Sequence, residues 1–476
     1  MARHLPPLSP FLSWPPYLAT PPATLRDVMR GLEASDRWSA AEVAAGTQSQ
    51  LMLLLEWAAN NVPYYKRTGS LMAALKILRR SPGRFEEQWL QLPLLTKETL
   101  RSDGPALNAP AVPQSHLPFV VAYTSGSTGI PVEVRTTKVT RTVWNALAVR
   151  EHLWQRRDFL KRLGVIRSFK PASGIPQGID NVSWGPPVAD LHRTGPASVV
   201  HVKQPVEVLI EWLRRFDPHY LLTYPSVAAA LFDALGPGGR TPSLEEVRLM
   251  SEPVDIGFEK DLKDAWGVRV SDIYSCNENG KIAMRCREHD NLHVQSEGIF
   301  VEILNEQGER CAPGESGQVV LTSLHNLATP LIRYQIGDYA TVGEPCGCGR
   351  VSPVIRQVLG RAKHLATSPD GKRYYPITLW KIRAVKPVRQ SQWVQTARDA
   401  IELRVVLERP LTAAETEQAI GIVRQTLGFP YRVTVVAVDE IARGPTGKFQ
   451  EFLSLLPDGL DPEVVSSPPG TPPPSG

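Results

Sequence analysis

Hydrophobic positions along the chain change their spacing more than once, and each change predicts a different kind of structure. From Ser39 to Asn60, Leu51, Leu54, Leu55 and Ala58 recur at the i, i+3, i+4, i+7 spacing of one helix face, and Pro63 stands just beyond the end. An amphipathic cover helix follows. After Pro93, short apolar runs alternate with helical stretches. PFVVAY (118 to 123) predicts a strand, RLGVIRSF (162 to 169), HYLLTY (219 to 224) and VRVSDIY (268 to 274) predict buried strands, and PVEVLIEWLRRF (205 to 216) predicts a helix between them. The fold class expected is α/β, a sheet with helices on its faces. Between 299 and 322, IFVEIL and GQVVLTS flank the turn residues PGESG, the pattern of an antiparallel segment.

Near Gly360 and Arg361 the pattern predicts a boundary. Beyond it come a DG turn at Asp370 and Gly371, a strand over 400 to 408, a helix from Thr412 to Leu427 and a strand over 433 to 441. That is enough for a small α+β domain of about 100 residues. The expected organisation is a Pro-rich segment over 1 to 23, a large α/β domain with an antiparallel β subdomain over 24 to 360, a small mobile α+β lid over 361 to 460 and a disordered Pro-rich tail over 461 to 476.

Composition narrows the class. A chain of 476 residues exceeds one typical core, and 42% hydrophobic with 21% charged residues is ordinary for a globular protein. The net charge of +5 is spread without Lys or Arg blocks, so neither a nucleic-acid stripe nor a polybasic membrane patch is present, and a small anionic substrate fits better. Pro6, Pro7, Pro10, Pro15 and Pro16 interrupt any signal-peptide core, and Glu56 cuts LMLLLEWAA, the best candidate for a membrane span, so a cytoplasmic protein is expected. Five cysteines, an odd count, argue against a disulfide framework and leave metal binding or burial.

The most informative segment is AYTSGSTGIPVEV (122 to 134), a strand running into a loop of glycines and hydroxyl residues. Glycines let backbone N–H groups approach a polyphosphate, and the Ser and Thr hydroxyls add donors. On its own such a stretch is more often only a loop, and it lacks the GK[ST] ending of a P-loop.

With the blocks around it, the chain resembles the adenylate-forming superfamily of acyl-CoA synthetases, adenylation domains and luciferases, and within it the phenylacetate-CoA ligase branch. The blocks are SQLMLLLEWAANNVPYYKR (49 to 67), LPLLTKETLR (92 to 101), YTSGSTGIP, IYSCNENG (273 to 280), TPLIRYQIGDYA (329 to 340), CGCGR (346 to 350), VLGRAKH (358 to 364) and RGPTGKFQ (443 to 450), in family order. The resemblance implies that Thr124, Ser125, Gly126, Ser127, Thr128 and Gly129 hold the ATP phosphates, and that Glu278 binds Mg²⁺. It also implies that Tyr274 stacks on adenine beside Asn277, that Asp338 accepts from the ribose hydroxyls and that Arg361 approaches ribose or phosphate. Lys448 would stabilise the meeting of carboxylate and α-phosphate, although a lone lysine is ordinarily solvated surface.

A second constellation, Cys286, His293, Cys346 and Cys348, supplies the Cys₃His set of a structural Zn²⁺ site, and similar residues occur in some relatives of phenylacetate-CoA ligase. The spacing is not that of a standard finger, His289 is a competing ligand, and Cys276 and Cys311 read as small buried or half-buried residues. Phe169, Trp184, Tyr220 and Tyr224 are candidates to line an aromatic-acid pocket, with core packing as the plainer role.

Some positions depart from the family pattern. Cys276 and Asn277 stand where glycine and a hydroxyl residue are usual, Ser251, Glu252 and Pro253 replace glycines at the adenine edge, and Lys363 stands where the hinge often has aspartate. The function implied is ATP-dependent activation of a carboxylic acid, an aromatic one by preference, to an acyl-adenylate with release of pyrophosphate, then transfer to a thiol, coenzyme A first. An amine or carrier-protein thiol as acceptor, and a non-catalytic zinc-stabilised nucleotide-binding relative, are the alternatives. The partners implied are small molecules, with a homodimer allowed.

Overall fold

A computed structural model describes residues 24–124, 132–169, 177–252, 256–361, 365–371, 379–441 and 449–456, with positions 175, 254, 373, 374 and 376. The chain divides into two compact units. The first comprises Met1–Phe159, Ser183–Thr194 and Ile273–Gln357; the second comprises Leu160–Val182, Gly195–Asp272 and Val358–Gly476.

In the first unit the leucine stripe is the inner face of the helix Ala40–Asn61, where Leu51, Leu54, Leu55 and Ala58 are buried. Ser39 starts this helix because its side chain accepts from the Glu42 amide while Glu42 reaches back to the Ser39 amide, satisfying donors that a helix start leaves unpaired. IFVEIL and GQVVLTS form the antiparallel strands Ile299–Leu304 and Ser316–Ser323, the second also pairing with Tyr334–Val342. The strand Gly280–Arg285 pairs antiparallel with Arg269–Cys276 on one side and Leu292–Val294 on the other, and Leu292–Val294 pairs in turn with Val354–Arg361. A buried arginine ties these strands to the helical region: Arg333 donates to the Glu302 carboxylate and to the carbonyls of Leu90 and Leu92. An enclosed guanidinium is tolerated only with such partners.

The helix Lys138–Trp154 buries Val139, Val143, Ala146 and Leu147 against Val28, Met29 and Leu32 of the helix Leu25–Ser35 and against Met284. Its Trp144 lies over the turn that opens the strand Gly280–Arg285. Gly280 has φ +74°, and a Cβ there would lie 2.4 Å from the Trp144 indole, so backbone conformation and space both require glycine.

The second unit contains the parallel strands. Leu163–Arg167 lies between Ala197–His201 and Tyr220–Thr223, with Glu246–Met250 next to Tyr220–Thr223, and Ile179–Asn181 runs antiparallel against Ala197–His201. Helices Val206–Phe216, Pro225–Leu235 and Ile256–Trp266 join Trp212, Leu213, Leu231, Phe258 and Leu262 to strand residues in one apolar cluster. The strands at 197–201 and 246–250 were not expected from pattern; in the second, Glu246 and Arg248 interrupt the short apolar run. Glu246 is fully buried, and its carboxylate accepts from Ser271 Oγ at 2.5 Å and Arg269 Nη2 at 2.9 Å.

The C-terminal part of this unit has its own apolar cluster around Trp393, Leu403, Val405, Val423 and Tyr431. Its sheet has the order Arg432–Ala437, Ala400–Leu407, Val388–Ala397, Phe452–Ser454, and the helix Ala413–Leu427 is capped by Thr412 and Glu415. Among the described residues, no helix is long and apolar enough to cross a membrane.

Candidate functional site

Two residues expected to meet a nucleotide are joined directly. Tyr274 is buried on the strand Arg269–Cys276, and its hydroxyl donates to Asp338 Oδ2 at 2.9 Å across 64 positions of chain. Asp338 follows Gly337, whose φ of +83° turns the strand Tyr334–Val342 at that point. A carboxylate oriented by a phenol keeps its acceptor capacity aimed in a set direction, which suits recognition of a diol. In the turn after Tyr274, Asn277 is exposed and Glu278 is only 8% exposed. The Asn279 amide donates to Cys276 Sγ at 3.3 Å. Burial, reinforced by the Glu278 carboxylate, pushes the Cys276 thiol well up, so a neutral sulfur stands beside the acid.

The expected phosphate loop connects two antiparallel strands, Phe119–Thr124 and Val132–Thr137, whose register places Thr124 opposite Val132. Ser125, Gly126, Ser127, Thr128 and Gly129 lie outside the described residues, as do Lys363 and Lys448, the Pro-rich segment over 1–23 and the tail over 461–476.

In the second unit, residues that follow the parallel strands gather at their carboxyl ends, the edge at which α/β sheets bind ligands. The Tyr224 hydroxyl accepts from the Ser168 amide at 3.3 Å, and Phe169 packs edge-to-face on His201 with ring centroids 5.2 Å apart. Tyr220 is buried within its strand. Trp184 belongs to the first unit, where it packs against Phe159 and His152. Arg361, half-buried, ends the strand Val354–Arg361. Glu252, noted in the sequence only as a departure, accepts from the Ser226 amide and hydroxyl, each at 3.0 Å, and from the Phe449 amide at 2.7 Å. No sequence signal marks that contact, since its donors include a backbone N–H 197 positions away.

The four residues proposed for a metal come together in the first unit. The ligand atoms of Cys286, His293, Cys346 and Cys348 all lie within 4.8 Å of one another. Cys286 ends the pairing of Gly280–Arg285 with Leu292–Val294, His293 lies on the latter strand, and the turn 346–349, with Gly349 at φ +85°, brings in the other thiols. Cys346 and Cys286 have sulfurs 3.9 Å apart, too far for a disulfide and close to the ~3.8 Å edge of a tetrahedron with zinc–sulfur bonds of about 2.3 Å. His293 turns Nε2 to Cys348 Sγ at 3.3 Å while Nδ1 meets Ser352 Oγ at 3.2 Å, the outer contact that orients a ligating imidazole. Burial, with Arg350 and Arg150 adding to it, lowers this imidazole to about 4 and keeps it neutral, the form that binds metal. His289 Nδ1 also lies 3.3 Å from Cys346 Sγ, so the competing ligand stands at the same cluster. The donor set fits Zn²⁺. Trp154 stands edge-on to His293 and carries the guanidinium groups of Arg150 and Arg350 over its ring, at 4.2 and 4.3 Å.

No family model matches the chain. A phenylacetate-coenzyme A ligase of Thermus thermophilus is 24% identical over 446 residues, covering 86% of this chain and 95% of the relative. That of Escherichia coli is 26% identical over 325 residues, covering 64% and 69%. Among solved structures, a 2-hydroxyisobutyryl-CoA ligase in the postadenylation state with 2-HIB-AMP aligns with a TM-score of 0.68 at 21% identity, over 95% of this chain and 94% of that one. That likeness establishes a shared fold.

Proposed function

We propose that this chain, which belongs to the adenylate-forming superfamily in its phenylacetate-CoA ligase-like branch, uses ATP to activate a carboxylic acid and passes the acyl group to coenzyme A. The observation that carries the proposal is the Tyr274–Asp338 hydrogen bond, which brings together residues from two separate blocks of the resemblance. In the first half-reaction a carboxylate oxygen of the acid attacks the α-phosphorus and pyrophosphate leaves. In the second the thiol sulfur attacks the acyl carbonyl, the thiol gives up its proton and AMP leaves.

Each group has a role that follows from charge. Two anions meet in the first step, and the Lys448 ammonium offsets their repulsion most where charge develops on the α-phosphoryl oxygens. Backbone amides and hydroxyls from Thr124 to Gly129 bind the outgoing phosphates. Asp338 accepts from the ribose, Tyr274 and Asn277 border the base, and Arg361 approaches ribose or phosphate. Glu278 would hold Mg²⁺, which when bound neutralises the triphosphate. Cys286, His293, Cys346 and Cys348 would hold a structural Zn²⁺ that stabilises the fold. Half-buried Phe169, with buried Tyr224 holding the Ser168 amide beside it, would favour a flat aromatic acid by offering ring surface.

The test is acid-dependent exchange of labelled pyrophosphate into ATP, run over a panel of aryl and alkyl acids, with coenzyme A then added and the thioester sought by mass. Lys448→Ala is expected to lower exchange by about 100-fold or more, as loss of a charge-stabilising group at a transition state does. Exchange at the normal rate in that variant would remove the assignment.

A further inference from the structure

Glu252 occupies a position that pattern alone leaves as an oddity. It stands just beyond the strand Glu246–Met250, and its carboxylate faces the first turn of the helix Pro225–Leu235, where Ser226 supplies an amide and a hydroxyl at 3.0 Å each. A helix N-terminus has unpaired amides and partial positive charge, so an anion there is held in place. The same carboxylate accepts from the Phe449 amide at 2.7 Å, the length of a charge-assisted hydrogen bond. Phe449 is buried and follows Lys448 directly in the chain.

These contacts join two bodies that pack separately. Phe258, Leu231 and Leu262 belong to the apolar cluster of the parallel strands, whereas Trp393, Leu403 and Val423 belong to that of the C-terminal sheet. A second hold lies near the other end of the same helix. Arg383 donates to Asp233 at 3.2 Å, with its guanidinium 5.5 Å from the Phe258 ring centroid. Both holds are polar: one is a carboxylate on the donors of Ser226 and Phe449, the other a guanidinium on the Asp233 carboxylate.

We propose that Glu252 is a positioning residue of the acid-activating half-reaction: it anchors to the helix Pro225–Leu235 the backbone that carries Lys448. This rests on the role given to Lys448 above. The anchor serves the step that uses the ammonium and is idle in thioester formation, so removing it separates the two half-reactions.

The experiment compares wild type with Glu252→Gln, Glu252→Ala and Lys448→Ala. Two rates are measured with phenylacetate, or with whichever acid of the panel exchanges fastest: pyrophosphate exchange into ATP, and single-turnover conversion of supplied acyl-adenylate to thioester by coenzyme A. Both Glu252 variants are expected to lose about tenfold or more in the kcat of exchange, with KM for ATP unchanged within about twofold and the thioester rate unchanged. Glu252→Gln keeps the side-chain shape and one acceptor oxygen, so it decides the matter if Glu252→Ala does not fold. Exchange at wild-type rate in Glu252→Gln, or an equal fall in both half-reactions, would overturn the positioning role. If wild type shows no acid-dependent exchange, or Lys448→Ala exchanges normally, the underlying activity assignment fails instead.

Discussion

The strand Gly280–Arg285 has six residues, about 20 Å of extended chain, and its two ends are built on opposite principles. At one end the turn carries exposed Asn277 and nearly buried Glu278, beside the oriented carboxylate of Asp338. The Asp338 carboxylate there is held in direction by the Tyr274 hydroxyl and is the group proposed above to meet an incoming nucleotide. At the other end, Cys286 leads into a cluster whose histidine is fully buried and already supplied with an outer partner. Groups there face one another. Polar side chains can thus be turned toward one another, as the thiols and His293 are, or toward a partner from outside, as is proposed for Asp338.

The largest effect expected from disturbing this contrast is at the closed end. Metal analysis of the protein should find about one zinc per chain, and Cys346→Ser should lose it and lower the melting temperature by about 10 °C, since metal binding contributes directly to folding. The folded variant should still exchange pyrophosphate; loss of exchange with an unchanged melting temperature would reverse the assignment of the two ends. Next comes Asp338→Ala, which removes a charged acceptor and leaves the Tyr274 hydroxyl without it. A fall of about 30-fold in kcat/KM for ATP, with melting temperature nearly unchanged, is expected from steady-state kinetics.

A third prediction concerns acid. Burial raises the Glu297 carboxyl, but the Arg150 guanidinium, with hydrogen bonds from Arg150 and Ser35, outweighs it and leaves the group below its ordinary value. A folded-state value below the unfolded one means stability that is present above the unfolded value of about 4.3 and lost as pH falls through the folded one. Melting temperatures taken from pH 6 down to about pH 3 should therefore fall more steeply for wild type than for Glu297→Gln; parallel curves would show that this pair does not govern the acid limb. The smallest effect is Tyr274→Phe, which keeps the ring and loses only the hydrogen bond to Asp338, for a rise of about threefold in KM for ATP.

Much of this was legible in the sequence, for identifiable reasons. Leu51, Leu54, Leu55 and Ala58 announced a buried face by spacing alone, and Ile299–Leu304 with Ser316–Ser323 announced an antiparallel pair by the turn between them. Tyr274 and Asp338 stood out because each lies in a dense local block. The cysteines stood out because there are so few. The strand Glu246–Met250 was hidden: Glu246 and Arg248 mark a run as surface, yet both are buried, and the carboxylate of Glu246 is matched by Arg269 and Ser271 of a later strand. Glu252 was hidden more completely, since its partner at Phe449 is a main-chain group that every residue but proline carries.

The helix Lys138–Trp154 runs alongside both ends of that six-residue strand. Trp144 presses on Gly280 where the strand begins, and Trp154 stands against His293 in the neighbouring strand, about 15 Å farther along the helix axis. A rod of set length braced at two indole rings acts as a caliper: it keeps the opening turn and the thiol cluster at one separation, so a register slip in the strand must displace one tryptophan or the other.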